Sequence, residues 1–279
     1  MNGLKSVNTN FGEVIQARTV STQEDFISSV NVNQLTGDFV TSKPFSNDGC
    51  IIIYPQSPNN PTSSLIGAVK TLTNFRGYGF LKSPIDSQFD YTRNKLWISD
   101  AGNERVLKID CNSYAVDFSI ANIILPHSVV PNINNGGVFI KAFTTLTNGV
   151  IYYYSTNGIL QFYFNYLDTF SGSSLIPSLS SDGMSMNTPL PSTMCFDHRR
   201  NRLWWTANEY SYMFDLSNNQ IISYNLNDNL YTETRGIDID LDSGNAFITV
   251  YGDRNRWFTI QMFRDNNAIL SRSYLPENI

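Results

Sequence analysis

Two stretches carry one pattern at identical spacing: Phe89-Asp90-Tyr91-Thr92-Arg93-Asn94-Lys95-Leu96-Trp97 and Phe196-Asp197-His198-Arg199-Arg200-Asn201-Arg202-Leu203-Trp204. Each begins with Phe-Asp and ends with Asn, a basic residue and Leu-Trp. Asn tolerates the positive φ that tight hairpin turns require. The flanking residues favour strands, so each stretch predicts a β-hairpin, and the two together indicate an internal repeat.

Three weaker copies of the pattern lie at 239–247, 32–40 and 133–140. The first two align without a gap and place Gly244 and Gly37 where the clearest copies have Asn. The copy at 133–140 is shorter. The spacing between successive copies is roughly 40 to 60 residues, and blades of a β-propeller typically take about 40 to 45.

Further strands follow the hairpins. Apolar runs at 105–110 and 115–120 follow the copy at 89, and runs at 150–154 and 159–164, divided by Asn157-Gly158, follow the copy at 133. Asn-Gly between apolar runs is a strong hairpin signal. Four short strands per repeat define a propeller blade. The sequence therefore predicts an all-β fold, a single β-propeller over residues 1–279 with five blades. Loops at 56–64 and 171–183 can absorb the longer gaps between copies. A sixth, degenerate blade in those long gaps is the alternative.

The two ends of the chain also contain strand-like runs, at 14–20 and 269–275. An unclosed ring of blades would leave strand edges with unpaired backbone groups. We therefore expect the N- and C-terminal strands to share one blade and close the ring.

Composition argues against several classes of protein. The net charge is −5 and the charged fraction 15%, so the overall basic surface that nucleic acid needs is missing. The one tight basic group is His198-Arg199-Arg200 with Arg202, and a solvated turn explains it better than a phosphate site. Cys50, Cys111 and Cys195 are odd in number and form no Cys-x-x-Cys, which predicts free, at least partly buried thiols.

The beginning of the chain is polar, and no apolar run is long enough to span a bilayer. We expect a soluble protein without signal peptide or membrane span. Abundant Asn and few Lys fit a virion component, and a cytoplasmic scaffold fits equally well.

Residues 96–110, from Leu96 to Asp110, resemble an NHL repeat: an aromatic-bearing strand, then Asp, a small residue, Gly or Asn, Arg and an apolar strand. The copy at 203–207 departs from it, with Ala207 in place of the Asp. The resemblance implies a propeller related to NHL and SMP-30-like proteins, whose rings usually have six blades. It also implies that Asp100 and Arg105 bridge adjacent strands. That superfamily contains both binding modules and enzymes, so the fold alone does not supply a function.

Propellers bind ligands at one mouth of the central channel. The residues preceding each first strand and those ending each second strand should line that mouth. The candidate binding residues are Lys82, His127, Ser192, Thr193, Arg235, Asp100, Asn208, Glu209 and Asp253. Polar residues also line the water-filled channel of a propeller that binds no ligand, so their polarity alone does not identify a binding site.

Two kinds of chemistry remain open at this mouth. We expect no cofactor, but Asp100, Asn208, Glu209 and Asp253 offer the oxygen ligands that suit a divalent cation such as calcium. SMP-30-like hydrolases hold a cation in this way, and virginiamycin-lyase-like propellers use a His, for which His127 is the candidate. No catalytic motif is recognisable, and no catalytic role is assigned to any residue.

The sequence thus favours a non-enzymatic interaction module that binds a protein or glycan partner, with the chain as a copy in a virion or other large assembly. A channel-site metal-dependent hydrolase or lyase is the alternative. RNA binding through an NHL-like surface is disfavoured by the acidic balance.

Overall fold

The structure is a computed structural model. It describes residues 3–7, 14–19, 27–44, 49–55, 69–145, 148–167, 193–207, 210–225, 231–252, 258–263 and 269–274. Within these ranges the chain forms 24 strands and one 3-10 turn, Ala101–Asn103. The predicted all-β fold is confirmed.

Five four-stranded antiparallel sheets make up most of this structure, and in each the strands follow one another in chain order. Sheet I comprises β3 (Ser29–Val32), β4 (Phe39–Lys43), β5 (Cys50–Tyr54) and β6 (Lys70–Leu72). Sheet II comprises β9 (Pro84–Asp90), β10 (Lys95–Asp100), β11 (Arg105–Asp110) and β12 (Val116–Ala121). Sheet III comprises β13 (Ser128–Asn132), β14 (Gly137–Thr145), β15 (Asn148–Tyr154) and β16 (Leu160–Leu167). Sheet IV comprises β17 (Met194–Asp197), β18 (Arg202–Ala207), β19 (Tyr210–Asp215) and β20 (Gln220–Asn225). Sheet V comprises β21 (Tyr231–Ile239), β22 (Ala246–Gly252), β23 (Phe258–Phe263) and β24 (Ile269–Tyr274).

Two hairpins stand outside the five sheets. They are β1 (Gly3–Val7) with β2 (Val14–Thr19), and β7 (Asn74–Phe75) with β8 (Gly79–Phe80). The prediction that the terminal strands share a blade is wrong: β2 pairs with β1, whereas β24 pairs with β23. Sheet V already takes all four of its strands from the C-terminal part of the chain, and the N-terminal strand finds its partner locally.

The chain divides into two compact units, residues 1–103 with 107–118, and residues 104–106 with 119–279. In the first unit β3 lies against β9; in the second β13 lies against β17, and β17 against β21. Within each unit, the first strands of successive sheets are therefore neighbours. All five residues of β13 are buried, whereas residues 161–165 of β16, the last strand of that sheet, alternate between exposed and half-buried side chains.

The five predicted hairpins all join a first strand to a second strand. Each turn has four residues and ends in a residue with positive φ: Gly37, Asn94, Gly136, Asn201 and Gly244. The residue before each turn is Asp or Asn, whose side chain accepts hydrogen bonds from the turn; Asp197, for example, accepts the N–H groups of Arg199 and Arg200, both at 3.1 Å. The prediction of positive φ at these Asn and Gly residues is confirmed.

The third copy of the repeat begins two residues earlier than the sequence suggested. Asn132, not Asn134, occupies the position of the Asp, because β13 ends there and pairs with Gly137 across the turn. This copy therefore has the same length as the other four.

Apolar side chains fill the space between neighbouring sheets. In the first unit Val40 and Ile51 of sheet I pack with Leu96 and Leu107 of sheet II. In the second, one cluster joins sheets III and IV around the fully buried Trp205, and another joins sheets IV and V around Trp204, Ile237 and Ile248. Both faces of sheet IV are thus covered, which explains its run of buried residues in β18.

The loops predicted at 56–64 and 171–183 lie outside the described residues. The three cysteines are free, Cys50 buried and the other two half-buried, as predicted. Burial raises the pKa of Cys111 to about 12 and that of Cys195 well above its ordinary value. Both thiols are therefore protonated at neutral pH.

Candidate functional site

Five of the nine predicted mouth residues belong to the described part of the chain; Ser192, Asn208, Glu209 and Asp253 do not. Lys82 lies two residues before β9, His127 and Thr193 immediately precede β13 and β17, and Asp100 ends β10, all at the predicted places in the chain. Arg235 does not precede its strand. It lies within β21, which starts four residues earlier, at Tyr231.

Asp100 and Lys82 are brought together in the first unit. One carboxylate oxygen of Asp100 accepts the backbone N–H of Lys82 at 2.7 Å, and the other accepts the Asn103 side-chain amide at 2.8 Å. The Asp100 side chain is fully buried. Its contacts fix the junction between β10 and the start of β9, and the proposed bridge to Arg105 stays a prediction.

Hydroxyl groups at the start of several sheets tie first strands together. Thr193 Oγ1 accepts the N–H of Ile237 at 3.0 Å, and Ser128 Oγ accepts the N–H of Met194 at 3.3 Å. In the first unit the Ser28 hydroxyl donates to the carbonyl of Ile85. The Thr193 hydroxyl thus has a structural role, since it links the segment before β17 to β21.

His127 is the most unusual of the predicted residues. Its side chain is 6% exposed, packs on the Phe143 ring at 4.8 Å, and has no hydrogen-bond partner on either ring nitrogen within the described chain. Burial, with Lys141 nearby, lowers the pKa of His127 well below its ordinary value. The imidazole is therefore neutral and offers one buried donor and one buried acceptor.

Lys141 lies one strand away from His127 and is completely buried. Its ammonium donates to the carbonyl of Thr206 at 2.6 Å and so links sheet III to sheet IV. The carbonyl of Lys141 in turn accepts the N–H of His127 at 2.9 Å. No cluster of three or more His, Cys, Asp or Glu side chains suited to a metal ion occurs among the residues that the structure describes.

The basic group at 198–202 is more than a solvated turn. Arg200 pairs with Asp197 at 3.1 Å and also reaches the next turn, where it donates to the carbonyls of Leu241 and Asp242. Arg199 pairs with the Asp242 carboxylate. The expectation of a purely solvated turn is therefore corrected: the turn locks sheets IV and V together. Sequence reasoning could not find this contact, because the partners lie far apart in the chain.

Sequence reasoning also missed an aromatic surface on sheet III, which we call the sheet III surface: Tyr152, Tyr154, Ile159, Leu160 and Tyr163. The Tyr152 ring lies 6.2 Å from that of Tyr154 and 6.1 Å from that of Tyr163. A bulge beside Tyr154 places Leu160 opposite Tyr154 and Tyr163 opposite Tyr152 on one face. Ile159 and Tyr163 are 62% and 59% exposed. The available signal was the run of three tyrosines at 152–154, followed by Tyr163.

Two of these tyrosines, Tyr152 and Tyr154, have raised pKa values. Burial first, and the neighbouring Tyr163 second, raise the pKa of Tyr152; burial and Tyr152 do the same to the pKa of Tyr154. The hydroxyl groups are therefore able to donate as well as accept hydrogen bonds at neutral pH.

The comparisons with known proteins concern the fold. No protein-family model and no curated protein matches the sequence. Among solved structures, the chain is similar to one from the crystal structure of a nidogen/laminin complex, with a TM-score of 0.62 and 9% identity over 96% of this chain and 88% of that one. It is also similar to hydrazine synthase from Kuenenia stuttgartiensis, with a TM-score of 0.51 and 9% identity over 66% of this chain and 47% of that one.

These similarities and the repeated four-stranded sheets define the chain as a β-propeller. At 9% identity they carry no information on function. No helix in the described ranges is long and apolar enough to cross a membrane.

Proposed function

We propose that this β-propeller is a non-enzymatic interaction module that binds a protein or glycan partner through the sheet III surface. The observation that carries the proposal is the group of three tyrosine rings, spaced about 6 Å apart, beside the exposed Ile159 and Leu160. Tyrosine combines a large apolar area with a polar tip and loses little side-chain entropy on binding. For this reason it is enriched where binding energy concentrates at interfaces.

The backbone of β16 supports the same proposal. This strand is the last of sheet III, and its eight residues include no charge and no Pro. Natural proteins usually protect such edges with charge or short length. Sheet I ends in a three-residue strand with Lys70 and sheet II in a strand with Asp117. The last strand of sheet IV, β20, is also uncharged, but it has six residues where β16 has eight. The edge of β16 is thus suited to pair with an extended segment of a partner protein.

The finer architecture belongs to the same proposal. Each of the five four-stranded sheets is one blade, and together they form a single domain over residues 1–279, related to NHL and SMP-30-like propellers. The protein serves as a copy in a larger assembly such as a virion.

Site-specific photo-crosslinking tests the proposal. A photoreactive phenylalanine replaces Tyr163, and as a matched control Ile221, which is 49% exposed on the last strand of sheet IV. We expect position 163 to capture one defined partner from the native source and position 221 not to. If the partner is a sugar, a glycan panel should show binding by the wild type and weaker binding by Tyr152→Ala. Identical crosslinks at both positions, with no glycan bound, would contradict the proposal.

One observation favours the enzyme alternative: among the described residues, neither buried ring nitrogen of His127 has a hydrogen-bond partner. Buried polar groups are rarely left unpaired, and those that are often meet a ligand or serve catalysis. In this alternative the neutral imidazole acts as acid or base at the mouth, with a cation held by Glu209 and Asp253. Metal analysis of protein purified without chelator decides it: bound metal that is lost in Glu209→Gln supports the enzyme, and metal-free wild type argues against a metal-dependent one.

A further inference from the structure

We propose that Asn157 deamidates spontaneously in the folded protein and that this places a carboxylate beside the sheet III surface. The reaction needs no enzyme. The backbone nitrogen of the following residue attacks the side-chain amide carbon, ammonia leaves, and water opens the resulting succinimide to aspartate or isoaspartate. Glycine as the following residue permits this best, because it lacks a side chain and its backbone is free to rotate.

The chain contains four Asn-Gly pairs, at Asn2, Asn135, Asn148 and Asn157. The sequence alone does not separate them. Asn2 lies outside the described residues, and Asn148 is held in the ladder of sheet III opposite Leu167. The comparison that matters is therefore between Asn135 and Asn157, each in a hairpin turn of the same sheet.

Asn157 is free to react. It is exposed in the turn between β15 and β16, and within the described chain its side chain makes no hydrogen bond. Gly158 has a φ of 73°, a conformation that glycine adopts and leaves at little cost. One backbone hydrogen bond, from Gly158 N–H to the Ser155 carbonyl at 3.0 Å, must open before the attack.

Asn135 is held in place although its turn is similar. Its side-chain oxygen accepts the N–H of Gly137 at 3.0 Å and the hydroxyl of Tyr153 at 2.8 Å. The attacking nitrogen, that of Gly136, donates to the carbonyl of Asn132 at 2.7 Å. Rotation of the Asn135 amide toward that nitrogen would break both side-chain bonds, so the folded structure suppresses reaction here.

The product changes the chemistry of the loop. A carboxylate at position 157 lies two and three residues from the exposed Ile159 and Leu160, and burying an unpaired charge in an interface is unfavourable. Isoaspartate also adds a backbone atom to the turn that sets the β15–β16 register. We expect weaker partner binding after deamidation, and this consequence alone rests on the proposed function.

Peptide mapping by mass spectrometry tests the site. Native protein is incubated in mildly alkaline buffer, and conversion at Asn157 and Asn135 is followed over time beside a urea-unfolded sample. In the native protein we expect Asn157 to convert faster than Asn135 by about tenfold or more, since two additional hydrogen bonds protect Asn135. In the unfolded sample the two rates should converge.

The control variant is Asn157→Gln, whose longer side chain cannot form the five-membered ring. We expect the acidic species that peptide mapping assigns to position 157 to be lost in this variant. Equal native rates at the two sites, or an unmodified Asn157, would overturn the inference. These outcomes do not depend on partner binding, so the inference and the proposed function can fail separately.

Discussion

The Arg200 guanidinium lies directly over the Cα of Gly244, so close that a Cβ at Gly244 would come within 2.7 Å of Arg200 Cζ. Gly244 also has a φ of 76°. This contact lets Arg200 reach the carbonyls of Leu241 and Asp242 and connect the first turns of sheets IV and V.

Gly244→Ala is expected to destabilise the protein for two reasons. The positive φ costs about 1 kcal/mol for a residue with a Cβ, and displacing Arg200 adds about another 1 kcal/mol through its lost hydrogen bonds. Gly77→Ala is the matched control, because Gly77 has a φ of 82° and nothing within 4 Å of the added Cβ. Urea unfolding should show a larger loss for Gly244→Ala; equal losses would contradict the role of Arg200.

Asn94 tests the turn that the repeats share. Its φ is 53°, so Asn94→Gly should be nearly neutral, whereas Asn94→Ala should lose about 1 kcal/mol of unfolding free energy. Asn112→Ala, in an exposed turn position without positive φ, is the control. If thermal unfolding shows the Gly variant to be as unstable as the Ala variant, the side chain of Asn94, and not its backbone, matters.

His127 should make stability depend on pH. Its pKa is lowered in the folded state, chiefly by burial, so between that pKa and the unfolded value of about 6.5 the unfolded chain binds more protons. The unfolding free energy therefore falls as pH drops below about 6.5, by at most about 1.4 kcal/mol per pH unit.

Urea unfolding across that range checks the prediction. His127→Leu should flatten the slope. His198→Asn is the control, because His198 lies in a turn, its pKa is lowered by a more modest burial, and its removal should leave most of the slope in place. An unchanged slope in His127→Leu would show that other groups cause it.

The pKa of Asp110 tests the hydrogen bonds and the ion pair in the turn that follows β11. The Ser113 N–H, and then Lys95 at 3.0 Å, hold the pKa of Asp110 well below its ordinary range. Lys95→Met should raise that pKa, yet leave it below the ordinary value because Ser113 still donates. Carboxyl-carbon NMR titration measures this, with Lys95→Arg as the control that keeps the charge. A pKa unaffected by Lys95→Met would remove the ion pair from the explanation.

The hairpins could be predicted from the sequence because their determinants are local. An Asp or Asn, followed four residues later by Asn or Gly, specifies a turn whose last residue has positive φ. The third copy was misplaced by two residues because Ile133-Asn134 imitates the apolar-Asp pair, while the true turn follows Pro131-Asn132. Local patterns cannot choose between two such registers; pairing with β14 does.

The candidate site was less predictable because its contacts are distant in the chain. That Lys82 and Asp100 meet follows from their places at the open ends of one hairpin. By contrast, the sequence around Arg200 does not predict its contact with Gly244, and the sequence around Thr193 does not predict its hydrogen bond with Ile237. The sheet III surface depends on a bulge that brings Leu160 and Tyr163 onto one face, and strict alternation along β16 would have separated them.

The structure of the native protein as isolated, purified without chelator and with whatever accompanies it, tests the central claim most directly. We predict a partner chain or glycan seated on Tyr152, Tyr154 and Tyr163, with β16 in contact with it. A bare sheet III surface, together with a cation or small molecule held near His127, would contradict the interaction module and support the channel-site enzyme in its place.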